Sequence, residues 1–443
     1  MIRNILRAGV CWAAACSSAC SSANAAIDAP ATRAAVSRLL DNGYPQLEAL
    51  YKDIHSHPEL GLQEVRTAAK LAAEMRAAGF EVTEKVGKTG IVAIYKNGPG
   101  PLVMVRTELD GLPMEEKTGL PYASVAKQTT AAGRETFVAH SCGHDIHMAA
   151  WVGTARALVA MKDKWHGTLM FIGQPAEETA GGPEDMLADK LFERFGKPVM
   201  GFALHVGGDT PAGEVNYKPG VVMSNSDGLA IQFNGRGAHG SRPSQAIDPI
   251  VMAARFVVDV QSVVSREKDA AEFGVITIGA IEGGSAGNII PDHVNLRGTI
   301  RSYTPEVRKG LAAGIRRTAA AVAAMAGAPA PDVKITTGAT AVVNDSGLAE
   351  RTGAVFKAAF GAKAVRDEQP GSASEDYSVF VLAGVPSMYF GIGGADPAKL
   401  AEARAKGTEL PGNHSPMFAP LPEPSIRTGV EAMTLAVMNV MQP

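Results

Sequence analysis

The stretch TLMFIGQPAEE, residues 168 to 178, is a short apolar run that stops at glycine and proline and delivers two adjacent carboxylates. A continuous apolar run of this length reads as a strand buried on both faces. Polar residues directly after such a strand sit at the carboxyl edge, where open α/β sheets carry their sites. The pattern recurs. Leu102 to Arg106 leads into RTELDGLP at 106 to 113, which carries Asp110, and Val199 to Leu204 leads into His205. A further run, Ile91 to Tyr95, completes the group. The recurrence predicts an α/β fold with its site along one sheet edge.

Outward from these strands, the spacing predicts a helix from Ala31 to His55, with Leu39, Leu40, Leu47 and Leu50 near helical period. Pro58 and Gly61 in HSHPELGLQE, residues 55 to 64, break it, and a second helix, Glu64 to Ala78, stops at Gly79. Ile146 to Met161 reads as a buried helix. From Gly228 the order changes: strand 229–233, helix 247–264, strands 273–281 and 294–300, helix 307–326 and strand 333–337. That is the split β-α-β-β-α-β order of a ferredoxin-like module. Within a larger α/β chain it is an insertion, and 443 residues exceed one ordinary core. The expected division is a leader at 1–25, a catalytic domain in two parts, 26–225 and 341–443, and an inserted domain at 226–340. The second part holds GSASEDY, a strand at 388–392, NHSPMF at 413–418 and a closing helix, 424–441.

The leader reading rests on Arg3 and Arg7 before an apolar run, with Ala23-Asn24-Ala25 as a small-x-small cleavage site. It predicts an exported protein, periplasmic or secreted. A lipid anchor through Cys16 or Cys20 is the weaker reading, because neither follows the usual leucine. No segment reaches the length of a membrane span. Three of the four cysteines fall in the leader, leaving Cys142 as the single thiol of the mature chain. A lone thiol in an oxidising compartment favours a ligand role. Removing two leader arginines and no acid takes the formal charge from −3 to −5. This mild acidity gives no sign of nucleic-acid binding.

Chemistry gathers in HSCGHDIH, residues 140 to 147, where sulfur and imidazole nitrogen are ligand types suited to zinc and its first-row neighbours. Cys142 and His144 are too close in sequence to share a helical face, so they are expected on a loop or strand end. Of the paired acids in GQPAEE, one can hold a metal while the other takes a proton from water. Each residue also has a plain reading: a solvated acid pair at a helix start, or histidines satisfied by hydrogen bonds. Together, Cys142, His144, Glu178, His205 and His414 are five candidate ligands, a count that fits two metal ions. His55, His57 and His166 read as structural, and His140 and His147 as donors behind the ligands.

RTELDGLP, HSCGHDIH, GQPAEE, GRGAHGSRP at 235–243 and NHSPMF, in this order, resemble the dinuclear-metal amidohydrolases that cleave N-acyl amino acids. That group includes hippurate hydrolases, indole-3-acetyl-amino acid hydrolases and related carboxypeptidases and aminoacylases. The resemblance implies a zinc-exopeptidase-like catalytic domain with an inserted ferredoxin-like dimerisation (lid) domain. It implies two divalent ions, whether zinc, manganese, cobalt or nickel, on Cys142, His144, Glu178, His205 and His414. Glu177 would be the general base, and His239, often supplied by the other subunit of a dimer, would meet the oxyanion. Asn288 and Arg301 would contact the substrate, and Asp110 would orient the ligands. Glu108 stands where the family usually has aspartate, and Ser244 where auxin-type members have a second histidine.

The expected reaction is hydrolysis of an N-acyl amino acid. A carboxypeptidase or dipeptidase acting on short peptides is the alternative, and a non-catalytic exported metal-binding protein is a third reading.

Overall fold

The strand Leu102–Glu108 turns Val103 and Val105 to one side and Met104 to the other, and all three are fully buried. The strand Gly167–Gln174 does the same with Leu169 and Phe171 against Met170 and Ile172. Side chains alternate along a strand, so a run that is apolar on both sides needs cover on both faces. That cover is present in this computed structural model, which describes residues 27–442 apart from Ala180 and Glu368. The leader expected over 1–25 lies outside the described residues.

On one face pack three long helices, Ala29–His55, His144–Ala160 and Pro422–Val440. The indole N–H of Trp151 donates to the carbonyl of Val105 at 3.1 Å and pins the middle helix to the sheet. On the other face lie the short helices Gly182–Ala188, Leu191–Phe195 and Ser378–Leu382.

The sheet has eight strands in the order 81–86, 90–97, 167–174, 102–108, 200–211, 387–395, 215–217 and 364–366. Its four central strands are parallel. The strands Glu81–Val86 and Gly90–Asn97 join antiparallel, so the sheet is mixed. The sequence reading missed the edge strand Glu81–Val86, which is largely exposed and carries no apolar run. It also missed two strands of three residues each. His205 lies within the strand Met200–Pro211 rather than beyond its end.

The smaller sheet is antiparallel, in the order 274–282, 293–302, 227–234, 332–337. Leu229, Ile231, Phe233, Val294 and Leu296 face the helices Pro249–Asp259 and Pro305–Met325 across a separate core. This is the split β-α-β-β-α-β arrangement. The helix expected over 247–264 is two, parting at Val260, where a tightened bond from the Val263 N–H to the Val260 carbonyl interrupts the regular pattern. The chain leaves and re-enters the larger layer through two short paired strands, Gly220–Met223 and Val342–Asn344.

At the end of the first helix, His55 sits between two buried carboxylates. Its Nδ1 lies 2.6 Å from Asp145 and its Nε2 3.1 Å from Glu116. Burial alone would lower its pKa, but the hydrogen bonds and charges of these two acids outweigh it and raise the pKa from 6.5 to about 10. Because the folded value is raised, the stabilisation is complete below about pH 6.5 and disappears as pH rises through about 10. Replacing His55 with leucine strands both acids and should cost about 3 kcal/mol in urea unfolding at pH 6. The gap from wild type should narrow between pH 7 and 10; a constant gap would show that pairing is not its source.

Candidate metal centre

The turn that carries Cys142 depends on Gly143, whose φ of 90° is left-handed, so that His144 becomes the first residue of the next helix. Cys142 therefore sits on the loop, as expected, whereas His144 stands on the first turn of the helix rather than on a loop or strand end, the left-handed Gly143 making the change of direction between them. The loop at 413–414 closes over them. The His414 N–H donates to the Ser141 carbonyl at 2.7 Å, and Asn413 Nδ2 donates to the carbonyls of Cys142 and Val206 at 2.8 and 3.0 Å.

All five expected ligands meet. Cys142 Sγ lies 3.3 Å from His205 Nε2 and 3.3 Å from His414 Nε2. His414 Nε2 is 3.5 Å from Glu178, and His144 Nε2 is 3.9 Å from both Glu177 and Glu178. Donor atoms fall into overlapping sets, each within 4.8 Å: Cys142, His144 and His205; Cys142, Glu178 and His414; His144, Glu177 and Glu178.

Orientation is set from behind. His144 Nδ1 lies 2.8 Å from the Asp110 carbonyl, and His205 Nδ1 2.9 Å from that of Val206. A ring nitrogen facing a carbonyl must carry the proton, which leaves each Nε2 as the atom that can ligate. Asp110 also accepts from the amides of Glu177 at 3.1 Å and Glu178 at 3.0 Å. His144 Nε2 and Glu178 Oε1 are buried without a hydrogen-bond partner. Imidazole nitrogens, a sulfur and a carboxylate converging without hydrogen bonds for His144 Nε2 or Glu178 Oε1 form a donor set that suits divalent cations of the zinc type.

Burial and neighbouring charge perturb these groups in different directions, and Asp110 and Glu178 raise His144 against burial to about 9. Burial, then the charges of Glu178 and Glu177, push the Cys142 thiol well above its usual value. Burial raises Glu177, and Glu375, Asp376 and Glu178 raise it further. Burial holds His205 down to about 4, with the charge of His144 adding to it.

Behind the cluster lies a buried network that sequence reasoning did not find. Arg106 pairs with Glu108, with Glu375 at 2.7 Å and with Asp376 at 3.0 Å, and it donates to Gln174 at 2.9 Å. Glu108 also reaches His147 Nδ1 at 2.9 Å, while His147 Nε2 accepts from the Val206 amide. The longer acid at position 108 thus spans Arg106 and His147. GSASEDY was visible as a motif, but nothing local marked its acids as partners of Arg106, 269 residues away for Glu375. His140 is buried, with neither ring nitrogen hydrogen-bonded.

Cys142, Glu177, Glu178, His205, His414 and Arg301 line one cavity of about 900 Å³ between the two units. This lies within the usual range for small-molecule sites. His239 is elsewhere, on the smaller unit, lining a separate cavity of about 860 Å³. It neighbours Asn288, whose carbonyl accepts from the Gly240 amide at 2.7 Å. The structure therefore gathers the five ligands, Glu177 and Arg301, and leaves His239 and Asn288 outside that cavity.

The family described as Peptidase family M20/M25/M40 matches residues 104–437. Hippurate hydrolase from Campylobacter jejuni is 35% identical, over 76% of this chain and 85% of that protein. N-acetyl-L-cysteine deacetylase from Bacillus subtilis is 34% identical, over 76% of this chain and 77% of that protein. A solved Bacillus subtilis structure, described as a dinuclear metal binding peptidase from the M20 family, superposes with a TM-score of 0.73. It is 27% identical and covers 90% of this chain and 99% of that one.

A Cβ on Gly143 would lie 2.4 Å from Val206 Cγ1, whereas one on the equally left-handed Gly133 would meet nothing within 4 Å. Gly143→Ala should therefore cost about 2–4 kcal/mol in urea unfolding, combining backbone strain and overpacking, against about 1 kcal/mol for Gly133→Ala. Equal costs would remove the packing argument.

Proposed function

Because the chain belongs to peptidase family M20/M25/M40 and is a hydrolase, we propose that it hydrolyses the amide bond of N-acyl amino acids to a carboxylic acid and a free amino acid. The observation that carries this reading is the convergence of five ligands and Glu177 in one cluster, four of the ligands and Glu177 lining a cavity with Arg301 in its wall. Cys142, His144, Glu178, His205 and His414 would hold two divalent ions, and zinc, manganese, cobalt or nickel each suit this mixture of S, N and O donors. Such ions supply polarisation of the scissile carbonyl and acidification of a water.

The chain's own residues do the rest. Glu177, raised by burial and by four neighbouring acids, takes the proton of the attacking water and delivers it to the leaving nitrogen. Arg301, half-buried with one guanidinium nitrogen lacking a partner, binds the substrate carboxylate, with Asn288 as a further contact. His239 Nδ1 accepts from the Ser241 amide at 3.1 Å, so its Nε2 bears the proton and can donate to an oxyanion. Its place outside the ligand cavity suits delivery from the smaller unit of a second subunit, so the working form is a homodimer or a higher oligomer. The leader pattern at residues 1–25 supports export, and N-terminal sequencing of the secreted or periplasmic protein should begin at Ala26.

The test is amine release from N-acetyl, N-benzoyl and indole-acetyl amino acids and from dipeptides, before and after chelation and metal restoration. Release from the acyl amino acids should vanish with chelator and return with metal. Release from dipeptides alone would replace this reading with the peptidase one, and silence with two metals bound would favour the binding protein. Glu177→Gln should lower kcat at least about 10²-fold while two metals per chain remain by elemental analysis. Near-normal turnover would remove Glu177 as the base.

A further inference from the structure

The segment HSHPELGLQE at 55–64 carries two acids and two histidines that the proposed reaction does not use. Glu64 is fully buried, and among the described residues no cationic side chain pairs with it. A carboxylate in that setting is costly to bury. It stands at the N-cap of the helix Val65–Ala77 but makes no side-chain capping bond. Glu59 caps instead, accepting from the amides of Arg66 at 3.1 Å and Thr67 at 2.7 Å. Glu64 is thereby released to reach two loops, where one oxygen accepts from the Ala176 amide, just past the strand Gly167–Gln174, at 2.7 Å and the other from the Thr89 hydroxyl at 2.5 Å.

Ala176 is the residue before Glu177, and its φ of 52° is left-handed, a conformation that L-residues other than glycine resist. That turn aims the next two amides, of Glu177 and Glu178, at Asp110. Three successive N–H groups are thus held by two carboxylates, Glu64 and Asp110. The 55–64 loop is also tied to the Asp110 segment, since the Gly111 amide donates to the Glu59 carbonyl at 2.8 Å. Gly61 packs so closely on Ala176 that a Cβ there would lie 3.1 Å from its Cα.

We infer that Glu64 is a positioning residue for Glu177: its carboxylate holds Ala176 in the strained conformation that keeps the base directed at the ligand cluster. The inference rests on the role proposed above for Glu177. If Ala176 relaxed to negative φ, the chain leaving the strand would rotate and carry the Glu177 carboxylate away from His144. Cys142, His144, His205 and His414 sit on other elements and would keep their places, while Glu178, next along the same turn, would shift with Glu177.

The experiment compares kcat, KM and metal content of the full chain on the N-acyl amino acid panel. Glu64→Ala should lower kcat about 10- to 100-fold, the scale of a small misplacement of a reacting group, with KM within about threefold when the divalent metal is supplied in excess. Glu64→Gln keeps an acceptor for Ala176 and should recover kcat to within about threefold of wild type, since the Thr89 hydroxyl can reverse and accept. Adding Ala176→Gly to Glu64→Ala should raise kcat several-fold, because glycine adopts the turn without restraint. Should Glu64→Ala fail to accumulate, Thr89→Val, which removes the second donor, should show the same fall in kcat alone, at smaller size. The inference is overturned if Glu64→Ala or Thr89→Val turns over at the wild-type rate. It is also overturned if kcat, KM and metal content fall together and glutamine does no better than alanine. A Glu177→Gln variant in the same series separates the two levels: if it stays active, the assignment of the base has failed, not the clamp alone.

Discussion

The site depends on Asp110. Its side chain accepts the amides of Glu177 and Glu178, and its carbonyl faces Nδ1 of His144. One residue at the carboxyl end of a central strand thus sets the tautomer of a histidine and the course of the acidic loop beside it. Both consequences require a rigid platform. Asp110 follows the buried strand Leu102–Glu108, and its neighbour Gly111 is bonded to the Glu59 carbonyl. Precision here comes from placing a polar residue where the sheet has already removed backbone freedom.

Around that platform the protein accumulates buried negative charge, and the balance is local. Against burial, which would raise it, the Arg106 guanidinium holds Glu375 down to about 2. Burial and the charge of Glu375 push Asp376 well up instead. Two adjacent acids in one turn are therefore pushed in opposite directions. Glu177 lies beside both and is pushed up by them, which suits a group that must gain and lose a proton during a reaction. His147, held well below its usual value by burial and then by the neighbouring His205, His144 and Arg106, can accept the Val206 amide. The strand bearing His205 is fixed by that bond.

How much of this was legible can be judged from particular residues. The parallel core was readable because Leu102–Arg106, Thr168–Ile172 and Val199–Leu204 are apolar on both faces, a pattern that only a doubly covered strand requires. Glu81–Val86 was not readable, since an exposed edge strand imposes no such pattern. Cys142 and Glu178 stood out through residue type and spacing. Arg106 stood in a quoted motif, yet its four-way pairing was invisible, because Gln174, Glu375 and Asp376 become neighbours only through strand order. His55 was read as structural without its partners, and Glu64 as an ordinary first residue of a helix.

The sequence by itself determined the fold class, the split ferredoxin-like order of the smaller unit and the identity of the five candidate ligands. These follow from local period and chemical type, which each stretch carries wherever the chain runs. Tertiary structure alone decided that Asp110 serves three bonds, that Arg106 gathers acids from distant segments and that Glu64 reaches Ala176. It also decided that Arg301 shares a cavity with the ligands while His239 does not. Those facts depend on the order and direction of strands, and a side chain carries no local mark of what will lie opposite it once the sheet has closed.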